Sequence, residues 1–327
     1  MLNLVHNEMI KMIRKKRLLV IALILMVLIP IFTYAQYRST QETIKNIGSS
    51  NWRTVLQQQI VDQQNRLTSS RVPQEYKQLI KLRIKQQQYY LEHNINPKAP
   101  GAPTFVRGFV EQSISLFLPL LVIILAADIV SSEHSLGTIK LLLTRPVKRW
   151  KILFSKYIAL LLCTSFVITL TIVLSYLISG VIFGYKGWSF PVITGFQHQG
   201  EQLITDHVHI VPQWKYILMA YGLAWFVCIV MGTLSFMVSV LMKNTASSMG
   251  VMLAALISGN LLEQVAHHWP ALKYSAFTHL RLTNYIAGEA SLIPDMSLPF
   301  SLAVLSVWAI IALIISFTVF TKRDVLT

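Results

Sequence analysis

The sequence predicts an all-α integral membrane protein with six transmembrane helices, and three observations carry that reading. Of 327 residues, 54% are apolar and 13% charged, with a mean hydropathy of +0.53, whereas about a quarter of a soluble domain is charged. Six apolar runs approach or exceed the roughly 20 residues that a spanning helix needs. Among the short connections between those runs, Lys and Arg are concentrated in alternate ones, as in cytoplasmic segments, while the long segment 38–112, which that rule does not govern, holds eleven more.

Residues 1–17 come before the first run. Leu2, Val5, Met9, Met12 and Ile13 recur at helical spacing while His6, Asn7, Lys11, Arg14 and Lys15 face elsewhere. That spacing predicts an amphipathic helix lying on the inner membrane surface. The basic cluster, the apolar run and Thr33-Tyr34-Ala35 also resemble a cleavable leader, but the patterned start favours a retained anchor.

The six runs are 18–37, 113–130, 152–183, 216–241, 246–262 and 299–321. The third is longer than one straight span requires and is expected to tilt or end in an interfacial turn. Pro119 predicts a kink in the second, because its ring removes a backbone hydrogen bond. Gly180 and Gly184 form a small-xxx-small pair in the third, and Gly250, Ala254 and Ser258 a similar series in the fifth. Both permit close helix approach, within one subunit or between two.

The connections divide by charge. With the N-terminus inside, the cytoplasmic segments 1–17, 131–151 and 242–245, the start of the third run and the tail 322–327 hold fourteen basic residues. The outer loops 184–215 and 263–298 hold only Lys186, Lys215, Lys273 and Arg281, against Glu201, Asp206, Glu263, Glu289 and Asp295. Both termini are therefore expected in the cytoplasm. The net charge of +15 follows from topology and affinity for anionic headgroups of membrane lipids, with no nucleic-acid partner required.

The long outer segment 38–112 reads as a helical hairpin. Trp52, Leu56, Ile60 and Leu67 form one stripe and Tyr76, Ile80, Ile84 and Leu91 another, with Pro73 suited to a first helical position. Gln57 to Gln59 and Gln86 to Gln88 fit solvated helix faces, and residues 96–103 (NPKAPGAP) form a helix-breaking return to the membrane.

Little in the chain points to an enzyme. There is no phosphate-cradling G-x-x-x-x-G-K-[ST] loop, no H-E-x-x-H or C-x-x-C, and no G-x-S-x-G elbow. The histidine pairs His207/His209 and His267/His268 belong to no recognised ligand set and read as surface residues, so no metal or other cofactor is expected in this chain. Cys163 and Cys228 both fall inside spans, which argues against a disulfide framework. Asp128 and Glu263 lie near span ends without an evident intramembrane partner. An ion-coupled carrier therefore gains no support.

The cytoplasmic segment 131–151 is the most punctuated part of the chain. Read from Glu133, it gives E-x-x-x-G-T-I-K-x-L-L-x-x-P-V-x-R through Gly137, Thr138, Ile139, Lys140, Leu142, Leu143, Pro146, Val147 and Arg149. This order resembles the loop motif of the bacterial ABC-2 family of ABC-transporter permeases. The E-x-x-K-x-x-R start at Glu8, Lys11 and Arg14, the six-run layout and the ending FTKRDV at 320–325 agree with it. The long first outer segment resembles the subgroup with an enlarged first extracytoplasmic loop.

The resemblance implies that 131–151 holds a coupling helix docking on a separate cytoplasmic ATPase, which binds the ATP. It also implies that a second permease subunit completes a dimer, and that the assembly works as an exporter. Glu133, Gly137, Thr138, Lys140, Pro146 and Arg149 are then the coupling residues. The residue types suit such a role: Glu133 and the basic residues make a two-signed docking surface, Gly137 permits a sharp turn, and Pro146 ends a helix. The other readings are an ordinary connecting loop whose charges enforce topology, and a membrane scaffold or assembly factor without transport activity.

Overall fold

The computed structural model describes all residues except 71, 139–146, 200–201, 205–207, 263–268, 290–295 and 323–327. Lys140, Pro146, Glu263, His207, His267 and His268, singled out in the sequence, lie outside the described residues, as does the second half of the FTKRDV ending.

The fold is helical, with six helices long and apolar enough to cross a membrane. Helix α1 (Leu2–Arg14) ends at Lys15-Lys16, where Lys16 takes a left-handed φ of 56°. Helix α2 (Arg17–Ile47) follows at once. It passes its expected end at residue 37 because nothing between there and Gly48 breaks a helix; Gly48, at φ 70°, closes it with an N–H to Ile44 O bond of 2.9 Å. Pro30 lies inside α2.

Segment 38–112 contains two helices in the order expected for the hairpin, α3 (Trp52–Thr68) and α4 (Gln74–Glu92). Asn51 caps α3 by accepting from the Arg53 N–H at 3.0 Å, and Pro73 stands one position earlier than expected, at the N-cap of α4. The buried apolar residues of the pair are Leu56 and Ile60 on α3 and Leu82 and Ile84 on α4. The chain returns through Gly101, whose missing side chain admits the Lys186 carbonyl, while the Ala102 N–H bonds Gly184 O at 2.8 Å.

The second span is broken rather than kinked at Pro119. Helix α5 (Ala102–Ser113) and α6 (Phe117–Ala126) are separated by a turn, and Pro119 falls in the first turn of α6, where a missing N–H costs nothing. After a second turn comes α7 (Ser131–Ser135). Helix α8 (Arg149–Phe183) is continuous over 35 residues and ends at Gly184, φ 80°.

Segment 184–215 is not a plain loop, and among the described residues it is where the fold departs from all-α. Strand β1 (Pro191–Thr194) pairs antiparallel with β4 (His209–Pro212), Pro191 opposite Pro212 and Thr194 opposite His209; β2 (Gln197–Gln199) pairs with β3 (Gln202–Ile204). Ile193 and Phe196 from this unit pack on Ile95, Tyr89 and Tyr90, joining it to segment 38–112.

Helix α9 (Gln213–Leu241) is the central span. It packs on α5, α6 and α8, and on α10 (Thr245–Leu262) and α12 (Leu298–Lys322), the last two presenting only one face inward. Close contact is achieved with small and hydroxyl side chains, as expected between helices in lipid. A Cβ on Gly232 would stand 3.0 Å from Val122 Cγ1, and Ser239 Oγ accepts the Val130 and Ser131 N–H groups at 3.1 and 3.0 Å, satisfying donors at the start of α7. Two 3-10 turns, Pro270–Tyr274 and Ala276–His279, and α11 (Thr283–Ala287) lead back to α12.

The glycine expectations divide. Gly180 is covered by the Tyr185 ring of its own chain, and Gly184 is a helix cap with open space for 4 Å around the place a Cβ would take. Within the chain, neither brings two helices together at the place of its missing side chain. Gly250, Ala254 and Ser258 lie on an open face of α10. The tight glycine of that helix is Gly259, which presses on Phe277.

Candidate functional site

Seven charged side chains far apart in sequence meet where α1, the α1–α2 turn, the α6–α7 segment and the start of α8 converge. Lys156, on α8, is 1% exposed; its Nζ donates to Glu133 Oε1 at 2.7 Å and Glu8 Oε2 at 2.8 Å. Lys11 bridges the same two carboxylates, 2.9 Å to Glu8 Oε1 and 3.1 Å to Glu133 Oε1. Beside them Asp128 Oδ2 accepts from Lys15 at 2.9 Å and from Arg17 Nη2 at 2.8 Å, while Lys15 also donates to Ser132 Oγ at 2.8 Å and Arg17 Nη1 to Ile124 O at 2.8 Å.

Local structure explains the convergence. Glu8, Lys11 and Lys15 fall at i, i+3 and i+7, one face of α1 and its end, and that face lies against α8. The left-handed Lys16 then turns the chain so that Arg17 is presented beside Lys15. Burial alone would push the Glu8 carboxyl up. The charge and hydrogen bond of Lys156, joined by Lys11, more than reverse this, so Glu8 titrates below the ordinary carboxylate value. The Lys11 ammonium is likewise penalised by burial, yet the hydrogen bond and charge of Glu8 with those of Glu133 hold its value above the ordinary lysine one.

These pairs sit around a cavity of about 320 Å³. Its polar wall is formed by the seven charged residues with Ser132 and Thr138, its apolar wall by Met12, Leu125, Ile129, Leu136 and Ala159. Glu133 Oε2 is buried there with no hydrogen-bond partner among the described residues.

This arrangement corrects the reading of Glu133 as half of an outward docking surface. Its carboxylate points into the chain, 7% exposed, and ties α7 to α1 and α8. Asp128, without an evident partner in the sequence, has two cations. Gly137 does make a sharp turn, at φ 70° with open space around it, and Thr138 Oγ1 donates to Glu133 O at 3.4 Å. Arg149 is half-buried and donates to Thr321 O at 3.3 Å, joining the start of α8 to the end of α12. Leu136, at the rim of the cavity, is 71% exposed, and Ser135, Gly137 and Thr138 beside it are exposed as well.

Sequence reading missed the importance of Lys156 and the joint role of Glu8 and Lys11. Their signal was present in the spacing of Glu8 and Lys11 and in a lysine early in an apolar run. Among the described residues, no three His, Cys, Asp or Glu side chains are arranged to hold a metal ion. His279, in an outer segment, is buried between Ser301 Oγ (2.8 Å) and Lys273 O (2.7 Å), a satisfied structural histidine.

The family described as protein of unknown function (DUF2705) matches residues 78–326. The chain is 29% identical over 330 residues to the uncharacterized protein YhcI of Bacillus subtilis, covering 99% of each. It is also 28% identical over 217 residues to the uncharacterized membrane protein YdbK of the same organism, covering 65% of this chain and 80% of that one. Six apolar helices, and a relative called a membrane protein, make this a multi-pass membrane protein.

Proposed function

The chain belongs to the DUF2705 family, and from that premise we propose that it is the permease subunit of an ATP-binding-cassette exporter, driven by a separate cytoplasmic ATPase. One observation carries the reading. The ordered motif from Glu133 to Arg149 begins on a short helix that is tied to α8 by the buried Glu133–Lys156 ion pair and to α1 by the half-exposed Lys11 and, through the shared Lys156, by Glu8. A force applied to the α7–α8 connection is therefore delivered to a spanning helix and to the amphipathic α1 together, since buried ion pairs are costly to separate.

In this reading the docking surface consists of exposed Leu136, the left-handed turn at Gly137 and the basic residues that follow, while Glu133 acts behind it as the anchor. Both termini are cytoplasmic, α1 lies at the inner interface, the α3–α4 hairpin is extracytoplasmic, and two permease subunits form the pathway. ATP binds the partner ATPase only.

The test is co-purification with an ATP-binding-cassette ATPase encoded beside the permease gene, followed by assay of compounds that stimulate ATP hydrolysis. A stable complex whose stimulated hydrolysis is lost in Leu136→Asp supports the proposal. A chain that inserts but binds no ATPase is the scaffold instead. Cysteines placed at Gln57 and Lys148, in a chain lacking Cys163 and Cys228, test the topology: a membrane-impermeant maleimide reaches the first and not the second from outside. Labelling of position 148 from outside overturns it.

A further inference from the structure

We infer that the cavity between α1, α7 and α8 is a binding site for the phosphodiester headgroup of a bilayer lipid, one whose polar arm carries a hydrogen-bond donor. The inference is separate from the permease reading and needs only that the chain sits in a membrane.

Charge comes first. The cavity gathers four cations, Lys11, Lys15, Arg17 and Lys156, against three carboxylates, Glu8, Asp128 and Glu133, leaving one positive charge in excess. A phosphodiester with a neutral polar arm neutralises that excess; where the arm is a primary ammonium, the phosphate meets the cations and the ammonium pairs with Glu133 instead. Lys156 is enclosed, whereas the Lys11, Lys15 and Arg17 side chains are 47%, 35% and 26% exposed and stand at the open side, where an arriving phosphate meets them.

The second observation is the orphan oxygen. Glu133 Oε2 is buried and unpaired although its other oxygen takes two ammonium donors. A buried acceptor without a donor is expensive, and the more so for a charged group. A hydroxyl or primary ammonium on the ligand satisfies it; a quaternary ammonium, which has no N–H, does not. The surroundings select a lipid over a free phosphate. Met12, Leu125 and Ile129 form an apolar wall, and directly after Arg17 the helix exposes Leu19, Val20 and Leu23, an apolar strip for acyl chains beginning beside the cation.

The experiment uses the full chain, delipidated in a neutral detergent, with native mass spectrometry of dioleoyl phosphatidylglycerol, phosphatidylethanolamine, phosphatidylcholine and inorganic phosphate. Phosphatidylglycerol and phosphatidylethanolamine are expected to bind saturably, one per chain, at least about tenfold more tightly than phosphatidylcholine. Lys15→Gln is expected to weaken the first two about tenfold, and Glu133→Gln to erase their advantage over phosphatidylcholine. Should a variant fail to fold, the contrast among the three lipids on the wild-type chain decides alone. Equal binding of all three lipids, binding of inorganic phosphate without lipid, or a cavity that takes water only overturns the inference.

Discussion

Replacing Lys156 with Met keeps most of the stem and removes the ammonium. What remains is Glu8 and Glu133, with side chains only 11% and 10% exposed, facing each other with Lys11 as their shared cation. Removing one partner of a buried pair typically costs about 3–5 kcal/mol, because the stranded charge stays desolvated. Here Lys11 still bridges both carboxylates, which places the expectation at the lower end, about 3 kcal/mol. Equilibrium unfolding of the detergent-solubilised chain by increasing SDS, followed by tryptophan fluorescence, measures it. The double variant Glu133→Gln/Lys156→Met removes the stranded carboxylate as well, so it is expected to be more stable than the sum of the single changes by at least about 1 kcal/mol. Single-variant losses under about 0.5 kcal/mol, as for a solvated pair, or strict additivity, refute the claim that this cluster holds α1, α7 and α8 together.

Gly137→Val forces a β-branched residue to φ 70° with no wall around it. The turn either bears a strain of about 1–3 kcal/mol or gives way to relieve it, so ATPase stimulation is expected to drop and the unfolding midpoint to fall by no more than that strain; unchanged stimulation argues against a role for the turn. Gly259→Ala drives a methyl into Phe277 and is expected to cost about 1–3 kcal/mol, whereas Gly250→Ala, on an open face, leaves stability within about 0.5 kcal/mol. Equal effects would contradict the packing described. For pH, the folded Glu8 value lies below its ordinary 4.5, so its contribution is full above that value and is lost as pH falls through the lower folded one. The folded Lys11 value lies above 10.5, so its contribution is full below 10.5 and is lost as pH rises through the higher folded one. Unfolding midpoints of Glu8→Gln and Lys11→Gln against wild type, measured across each range, check both signs.

The spans were legible because an apolar run of about 20 residues has few other uses, and the hairpin because its stripes repeat at helical spacing. The reach of α2 to Ile47 was not, since residues 38–47 are polar and only the absence of a breaker before Gly48 marks them as helix. The β-hairpins were missed because three- and four-residue strands give too short an alternation to read. Of the charged site, the local spacing of Glu8 and Lys11 was visible. Its contacts with Glu133 and Lys156 join residues 122 to 148 positions apart, and no periodicity records such pairings. The same limit hid the inward direction of Glu133: a carboxylate at a span end looks identical in sequence whether it faces a partner protein or a lysine of its own chain.

Helix α2 has a mechanical consequence. Its 31 residues make a rod of about 46 Å at 1.5 Å per residue, against about 30 Å of hydrocarbon. Set along the membrane normal, such a rod exceeds the hydrocarbon by about 16 Å, and its far end leads into the α3–α4 hairpin. With its lower end gripped through Arg17 by Asp128 and the Ile124 carbonyl, a tilt of about 10° at that grip swings the far end through about 8 Å over the same length. Pro30, close to the midpoint, removes one rung of the backbone ladder and offers a flexure along the shaft. By geometry alone, a small displacement at the charged cluster is therefore largest at the hairpin end of α2.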